Sequence, residues 1–149
     1  DFGGSLEKGE TPLQTALREG VEELTGFLGN KQDIRKLIKK NGGHYDVTFN
    51  TYNIHIFYMD YDPNLPKYYN NNHKFLWNAM DKTMLNESRL FEKIEINWFT
   101  EKQMKARKSE FRSFYQSFID DLCKDPKIKE FAKKCKNKTN KRKTLRNRD

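Results

Sequence analysis

The stretch Gly3–Gly26 constrains the fold most, because a glycine-rich loop leads there into a helix with two chemically different sides. Thr11 offers an N-cap hydroxyl and Pro12 suits the first helical position, so a helix is predicted from Pro12 to about Leu24. Gly26 supplies a stop. The aliphatic residues that recur on one face at helical spacing are Leu13, Leu17, Val21 and Leu24.

Three carboxylates, those of Glu19, Glu22 and Glu23, are predicted on the opposite face of this helix. Like charges at this spacing destabilise a helix by about 0.2–0.5 kcal/mol per pair. A solvent-facing helix would usually intersperse lysines, so the cluster indicates a positive partner from outside the chain. The alternative interpretation is an ordinary acidic helix in contact with solvent.

The spacing of the polar residues resembles the Nudix box, G-x5-E-x7-R-E-U-x-E-E-x-G-U, in which U is aliphatic. The matching residues are Gly4, Glu10, Arg18, Glu19, Glu22 and Glu23. Two positions depart from the pattern: Gly20 stands where an aliphatic residue is expected, and Thr25 stands where a glycine is expected. Every carboxylate of the motif is kept.

The resemblance implies a pyrophosphohydrolase that uses Mg²⁺ or Mn²⁺. Such hard cations prefer oxygen ligands, neutralise phosphate charge and activate water. The implied ligands are the carbonyl of Gly3 and the carboxylates of Glu19, Glu22 and Glu23, with Glu23 as a principal ligand. The resemblance also implies that Glu10 and Arg18 form an ion pair that orients the loop on the helix.

Family members often add an acidic residue from a later loop, as a metal ligand or general base. Glu92 is the first candidate for that role and Glu87 is the second. The alternative for each is a solvated surface charge.

The fold class that the resemblance implies is α/β, a Nudix α/β/α sandwich around a mixed β-sheet. The strands that normally precede the box are expected in a missing N-terminal portion of the same protein. Residues 1–132 would then be the C-terminal portion of the Nudix domain, and 133–149 a basic, flexible tail. Periodicity predicts a helix over 31–40, one or two strands over 44–61, a loop over 62–72, a helix over 73–84, a strand over 91–100 and a helix over 101–122.

The net charge of +8 lies in the last segment, because residues 133–149 hold nine Lys/Arg and one acidic residue. Such a run predicts either a polyanion-binding arm or a solvated terminus. The RNA-binding candidates are Lys133, Lys134, Lys138, Lys141, Arg142, Lys143 and Arg146.

Capped RNA is the predicted substrate, with methylated GDP as the product. Four mid-chain aromatic residues are candidates to stack on a methylated base, although each also suits a core: Tyr68, Tyr69, Phe75 and Trp77. The Lys/Asn-rich composition is similar to that of the mRNA-decapping Nudix enzymes of large cytoplasmic DNA viruses, which implies a cytoplasmic or virion location. The alternatives are a hydrolase of diphosphoinositol or nucleoside polyphosphates, and a non-catalytic RNA-binding Nudix module.

Other classes of protein find no support in the sequence. No apolar run approaches the ~18–20 residues that span a bilayer, so no membrane partner is predicted. Cys123 and Cys135 lack metal-ligand spacing and are predicted to be free thiols of a reducing compartment, with a disulfide as the alternative.

Overall fold

The chain combines helices with one small sheet in the computed structural model, which describes residues 2–88 and 92–146, without the side chains of Asn86 and of residues 143–146. It divides into a first unit, residues 1–39 with 61–97, and a second unit, residues 40–60 with 98–149. The described elements are α1 Pro12–Glu23, α2 Lys31–Lys40, β1 His44–Phe49, β2 Tyr52–Phe57, α3 Leu65–Ala79, α4 Lys82–Ser88, α5 Glu101–Ala106, α6 Ser113–Lys124 and α7 Pro126–Arg146.

Helix α1 begins as its capping residues predict. The Thr11 hydroxyl accepts a hydrogen bond from the Gln14 N–H, and the Gln14 side chain accepts one from the Thr11 N–H. This capping box satisfies two of the backbone donors that a helix start leaves over. The apolar face of the helix is inside, with Leu17 and Leu24 buried. Residues 31–40 form the predicted α2.

The end of α1 explains one departure from the Nudix pattern. The Gly26 N–H donates to the Val21 carbonyl at 2.8 Å and the Thr25 N–H donates to the Glu22 carbonyl at 3.0 Å. These two bonds define a Schellman motif, whose first residue after the cap is left-handed and is usually glycine. Here Thr25 takes that position at φ 50°. A β-branched residue in this conformation is strained.

We therefore predict that Thr25→Gly stabilises the protein relative to Thr25→Ala by about 1 kcal/mol, because only glycine adopts this φ without strain. The alanine variant is the matched control, since it removes the same side-chain contacts and keeps the strained φ. Urea unfolding with fluorescence detection measures the difference. Equal midpoints for the two variants would contradict the assignment of strain to Thr25.

Helix α3 corrects the predicted loop over 62–72, and the helix predicted over 73–84 is divided between α3 and α4. Pro66 lies in the first turn of α3, where proline is tolerated. Tyr69 and His73 are one turn apart and both are buried. The Tyr69 ring packs edge-on against Phe27, with centroids 5.1 Å apart. The prolines and asparagines therefore mark a helix start and an exposed helix face here, not a loop.

The strand predicted over 91–100 is wrong for residues 92–100, and Phe91 lies outside the described residues. No strand pairs with this segment in the described structure. Instead the Asn70 side chain accepts a hydrogen bond from the Ile96 N–H and donates one to the Ile96 carbonyl, at 2.9 and 3.1 Å. The Asn70 side-chain amide thus makes the two backbone hydrogen bonds that a neighbouring strand would make with Ile96. Ile94, expected beside Ile96 on a buried face, is 76% exposed.

In the second unit, β1 and β2 form an antiparallel hairpin in which His44 pairs with Phe57 and Phe49 with Tyr52. Asn50, at the turn, takes φ 53°. The predicted one-sided burial of Tyr52, Ile54, Ile56 and Tyr58 is only partial, because Tyr52 is exposed while His55 is as covered as its neighbours. The mixed sheet of a Nudix sandwich is not among the described elements, whose one sheet has these two strands.

The helix predicted over 101–122 is interrupted. Helix α5 ends at Ala106, a 3₁₀ turn covers Lys108–Glu110, and α6 begins at Ser113. The Arg107 guanidinium binds the Glu110 carboxylate across this break at 2.6 Å, which stabilises the bend. Phe118 and Ile119 of α6 are buried, as the predicted apolar stripe requires. Phe49 of the hairpin packs against Phe118, with ring centroids 5.7 Å apart.

The basic segment that was expected to be a flexible tail lies in α7 as far as Arg146. Phe131, Cys135 and Thr139 recur every four residues along α7, and Cys135 and Thr139 are buried. Phe131 contacts Tyr45, with ring centroids 5.9 Å apart. Cys135 lies against Gly42, where any Cβ would meet its Sγ. The apolar side of α7 therefore extends into the basic segment as far as Thr139.

No helix in the described ranges is both long and apolar enough to cross a bilayer. Cys123 and Cys135 are both free and buried, as predicted. Burial raises the pKa of each thiol.

Candidate acidic site on helix α1

Arg18 lies at the centre of the predicted motif. Its guanidinium contacts Glu10 at 3.2 Å, Glu19 at 2.8 Å and Glu22 at 3.0 Å. It also donates to the Ser5 carbonyl at 3.1 Å, so it ties the loop to the helix. The predicted Glu10–Arg18 ion pair is confirmed. The Arg18 side chain is only 11% exposed, so these charge-assisted hydrogen bonds fix the position of its guanidinium.

The hydrogen bond from Arg18 is the main reason that the pKa of Glu10 is lowered, and a bond from the Thr15 hydroxyl lowers it further. The same contact is the main cause of a raised Arg18 pKa. Both groups therefore stay charged at neutral pH. The ion pair persists wherever the carboxyl is ionised.

Glu19 reaches back from the helix to the glycine loop. A Cβ added to Gly4 would lie 1.9 Å from the Glu19 Oε1, so this carboxylate occupies the space that any other residue would fill. At Gly3, by contrast, a Cβ would meet nothing within 4 Å. A side chain at position 4 would thus displace the end of the Glu19 side chain, which is 14% exposed.

The second departure from the motif also has a local explanation. Gly20 is buried, and a Cβ there would lie 3.2 Å from the Phe2 ring. The ring of Phe2 therefore covers the place where the family has an aliphatic side chain. This packing anchors the residue before Gly3 on α1.

Glu23 corrects the expectation that all three carboxylates face solvent. It is buried, and its carboxylate lies 3.2 Å from the Lys93 ammonium. The Lys93 N–H also donates to the Glu23 carbonyl at 3.3 Å, so the segment after residue 91 covers this end of α1. Glu22 is 55% exposed. Sequence reasoning missed Lys93, and the signal it overlooked was a lysine beside the acidic candidate Glu92.

The chain itself therefore supplies cations that contact the glutamate cluster, Arg18 and Lys93, whereas the sequence predicted a positive partner from outside the chain. Around Arg18 the acidic groups remain in excess. Among the described residues, four carboxylates contact this one guanidinium, which gives the group a net charge of −3; these carboxylates belong to Glu7, Glu10, Glu19 and Glu22. Glu22 and Glu23 also lie in the last turn of α1, where the negative end of the helix dipole disfavours them.

The three motif carboxylates do not converge into a ligand group. Among the described residues, three potential ligand atoms lie within 4.8 Å of one another at His44, Asp46 and His55, and no such group is found at Glu19, Glu22 and Glu23. The donor set is nevertheless all oxygen, which suits Mg²⁺ or Mn²⁺. The ammonium of Lys93 already occupies a cation position at Glu23.

The later acidic candidates differ in their surroundings. Glu92 is exposed and directly precedes Lys93, whose backbone is bonded to Glu23, so the chain places it beside the end of α1. Glu87 is exposed near the end of α4.

The aromatic candidates fall into two groups. Tyr69 is a core residue, because its hydroxyl donates to the Lys93 carbonyl at 2.6 Å inside the first unit. Burial, with the nearby charge of Glu23, raises its pKa. Trp77 stacks on His73 and lies under the Lys82 ammonium. Tyr68 and Phe75 are exposed on α3, which leaves them available to a ligand.

The basic candidates form one helical array in the second unit. Lys133, Lys134, Lys138 and Lys141 are exposed on α7. Arg142 donates to the Lys40 carbonyl and so serves the fold as well. Lys143 and Arg146 lie on α7, with side chains outside the described part.

No family model, curated protein sequence or solved structure matches this chain.

We predict that Gly4→Ala weakens Mn²⁺ binding about tenfold, because the new methyl group displaces the Glu19 carboxylate and a lost orienting contact costs 10–100-fold in metal affinity. Gly3→Ala is the control, since its methyl group enters open space and its carbonyl is unchanged. Neither glycine has a positive φ, so both backbones accept alanine. Calorimetric titration measures the affinities, and equal values for both variants would contradict a role for Glu19.

Proposed function

We propose that the chain carries the metal-binding helix of a Nudix-type pyrophosphohydrolase, which cleaves a phosphoanhydride with Mg²⁺ or Mn²⁺. The observation that carries the proposal is the net charge of −3 that Arg18 and the four carboxylates in contact with it have among the described residues, on a helix whose motif spacing fits the Nudix box. A surface selected only for stability would not keep like charges adjacent and at the negative end of a helix.

In this proposal the chain's residues have separate tasks. Glu19, Glu22 and Glu23 would bind the divalent ion, together with the Gly3 carbonyl of the loop. The ion supplies charge neutralisation for the phosphate oxygens and an acidic bound water. Arg18 and Glu10 keep the loop on the helix. Glu92 is proposed as the later acidic residue, because Lys93 holds its segment beside Glu23.

Lys93 is proposed to have a role beside Glu23. Its ammonium lies 3.2 Å from the buried carboxylate and offsets part of its charge. With a divalent ion at Glu23, the ammonium would be able to turn towards a phosphate oxygen.

Capped RNA is the proposed substrate. Support comes from the exposed lysines of α7, which suit a phosphate backbone, and from the exposed rings of Tyr68 and Phe75, which suit base stacking. The proposed product is methylated GDP.

We predict that Glu23→Gln abolishes release of methylated GDP from cap-labelled RNA in Mg²⁺ or Mn²⁺, because it removes the principal ligand. Its rate should fall by at least about 10²-fold, the scale on which a single electrostatic catalytic group acts. Glu95→Gln is the matched control, because Glu95 is exposed and contacts only Asn97 among the described contacts. A wild-type rate in Glu23→Gln would contradict the assignment.

The same assay distinguishes the alternatives. Cleavage of an inositol pyrophosphate or a dinucleoside polyphosphate, with the cap left intact, would replace capped RNA as the substrate. Retention of RNA without any turnover would favour a non-catalytic RNA-binding module.

We predict that replacing Lys134, Lys138 and Lys141 together by glutamine weakens RNA binding and lowers the slope of log K against log[salt] by about 2, since each phosphate contact to a single strand contributes about 0.7. All three side chains are exposed, so the fold is kept. The control is the triple replacement of Lys31, Lys36 and Lys39, which are exposed on α2. An unchanged slope in the α7 variant would show that α7 does not bind RNA.

A further inference from the structure

The hairpin of the second unit carries a cluster that the proposed function does not use. Asp46 lies directly across from His55 in the strand register, and His44 lies two residues before Asp46 on the same face of β1. The His44 Nε2 is 3.3 Å and the His55 Nδ1 is 2.7 Å from the same Asp46 oxygen. The two rings are 5.6 Å apart and nearly perpendicular.

We propose that His44, Asp46 and His55 form a Zn²⁺-binding site that fastens the hairpin. Two imidazole nitrogens and one carboxylate oxygen are a donor set for zinc, whereas Mg²⁺ and Mn²⁺ prefer oxygen alone. Around tetrahedral zinc, ligand atoms lie about 3.3–3.5 Å apart. The 3.3 Å distance between His44 Nε2 and the Asp46 oxygen has this value, the 2.7 Å distance between His55 Nδ1 and that oxygen is shorter, and the three ligand atoms lie within 4.8 Å of one another.

A hydrogen-bonded cluster without metal is the competing explanation, in which Asp46 accepts bonds from both rings. The geometry favours a metal, because ligand atoms of all three side chains lie within 4.8 Å of one another on one face of the hairpin. The second ring nitrogen of His55, Nε2, is buried and has no hydrogen-bond partner in the described structure.

The His55 Nε2, which lacks a hydrogen-bond partner in the described structure, lowers the expected affinity for zinc. Zinc-bound histidines normally donate their second N–H to an acceptor, and loss of that contact costs about 10–100-fold. We therefore expect micromolar binding with a fourth position open to water. A bound ion would also raise the stability of the folded protein, because it binds the folded hairpin and not the unfolded chain.

The experiment uses the full chain in excess Mg²⁺, which keeps the acidic cluster on α1 occupied. Zn²⁺ binding is measured by equilibrium dialysis, and Co²⁺ is used as a spectroscopic substitute. We expect one zinc per chain, a higher melting temperature with zinc, and the intense visible absorption of four-coordinate Co²⁺ without a thiolate charge-transfer band.

Asp46→Asn and His44→Gln should each weaken zinc binding by about 100-fold or more. This exceeds the roughly 10–100-fold loss expected when only a contact that orients a ligand is removed. Asp46→Asn keeps a hydrogen-bond acceptor for both rings, so it separates metal binding from hydrogen bonding. Asp121→Asn, an exposed aspartate on α6, is the control and should bind as the wild type does. Circular dichroism checks that each variant is folded.

The proposal is overturned if wild-type protein takes up no zinc at micromolar concentration. It is equally overturned if Asp46→Asn and His44→Gln both bind zinc as tightly as the wild type. Should Asp46→Asn fail to fold, the partly exposed His44 still provides the test.

Discussion

The first unit depends on one guanidinium that holds carboxylates from two segments at once. Arg18 binds Glu10 in the loop and Glu19 and Glu22 on the helix, and it reaches the Ser5 carbonyl. Without this cation the loop and the helix would bring like charges together in a poorly solvated place. The planar, always-charged guanidinium suits such multiple contacts in a way that a lysine does not.

Several locally unfavourable features meet at this helix. Thr25 takes a left-handed φ, Gly20 has a low helix propensity, and Glu22 and Glu23 lie at the negative end of the dipole. The cost of Gly20 is offset by packing against the ring of Phe2. Agreement between local preferences and the fold is the usual state of a natural sequence, and exceptions are expected at functional or strained sites. The proposed divalent ion would relieve the charge, although not the strain at Thr25.

Elements set by local signals were predictable from the sequence. The capping box and the Schellman end fix α1, and the aromatic and β-branched residues fix the hairpin. Elements that depend on contacts between residues far apart in the sequence were not predictable. Residues 92–97 alternate as a strand would, but the backbone of Ile96 bonds the Asn70 amide and that of Lys93 bonds Glu23 and Tyr69, with no neighbouring strand among the described elements. The Lys/Arg-rich composition of residues 133–149 likewise predicted a flexible tail and gave no indication of the buried stripe of α7, which includes Cys135 and Thr139.

The candidate site was predictable in its residues and not in its geometry. The motif spacing identified Glu10 with Arg18 as an ion pair, which the structure contains. It did not reveal that Glu23 is buried against Lys93, because that contact joins residues 70 positions apart in the sequence. The cluster of His44, Asp46 and His55 was also missed, since its members are brought together by the strand register alone.

The most direct test of the central claim is a titration of isotope-labelled protein with Mn²⁺, followed by paramagnetic broadening of the backbone amide signals. A divalent ion at the acidic side of α1 predicts the strongest broadening at the amides of Gly4, Glu19 to Glu23 and Lys93, reversed by excess Mg²⁺. Broadening that is uniform along the chain, or centred on the hairpin, would contradict the account.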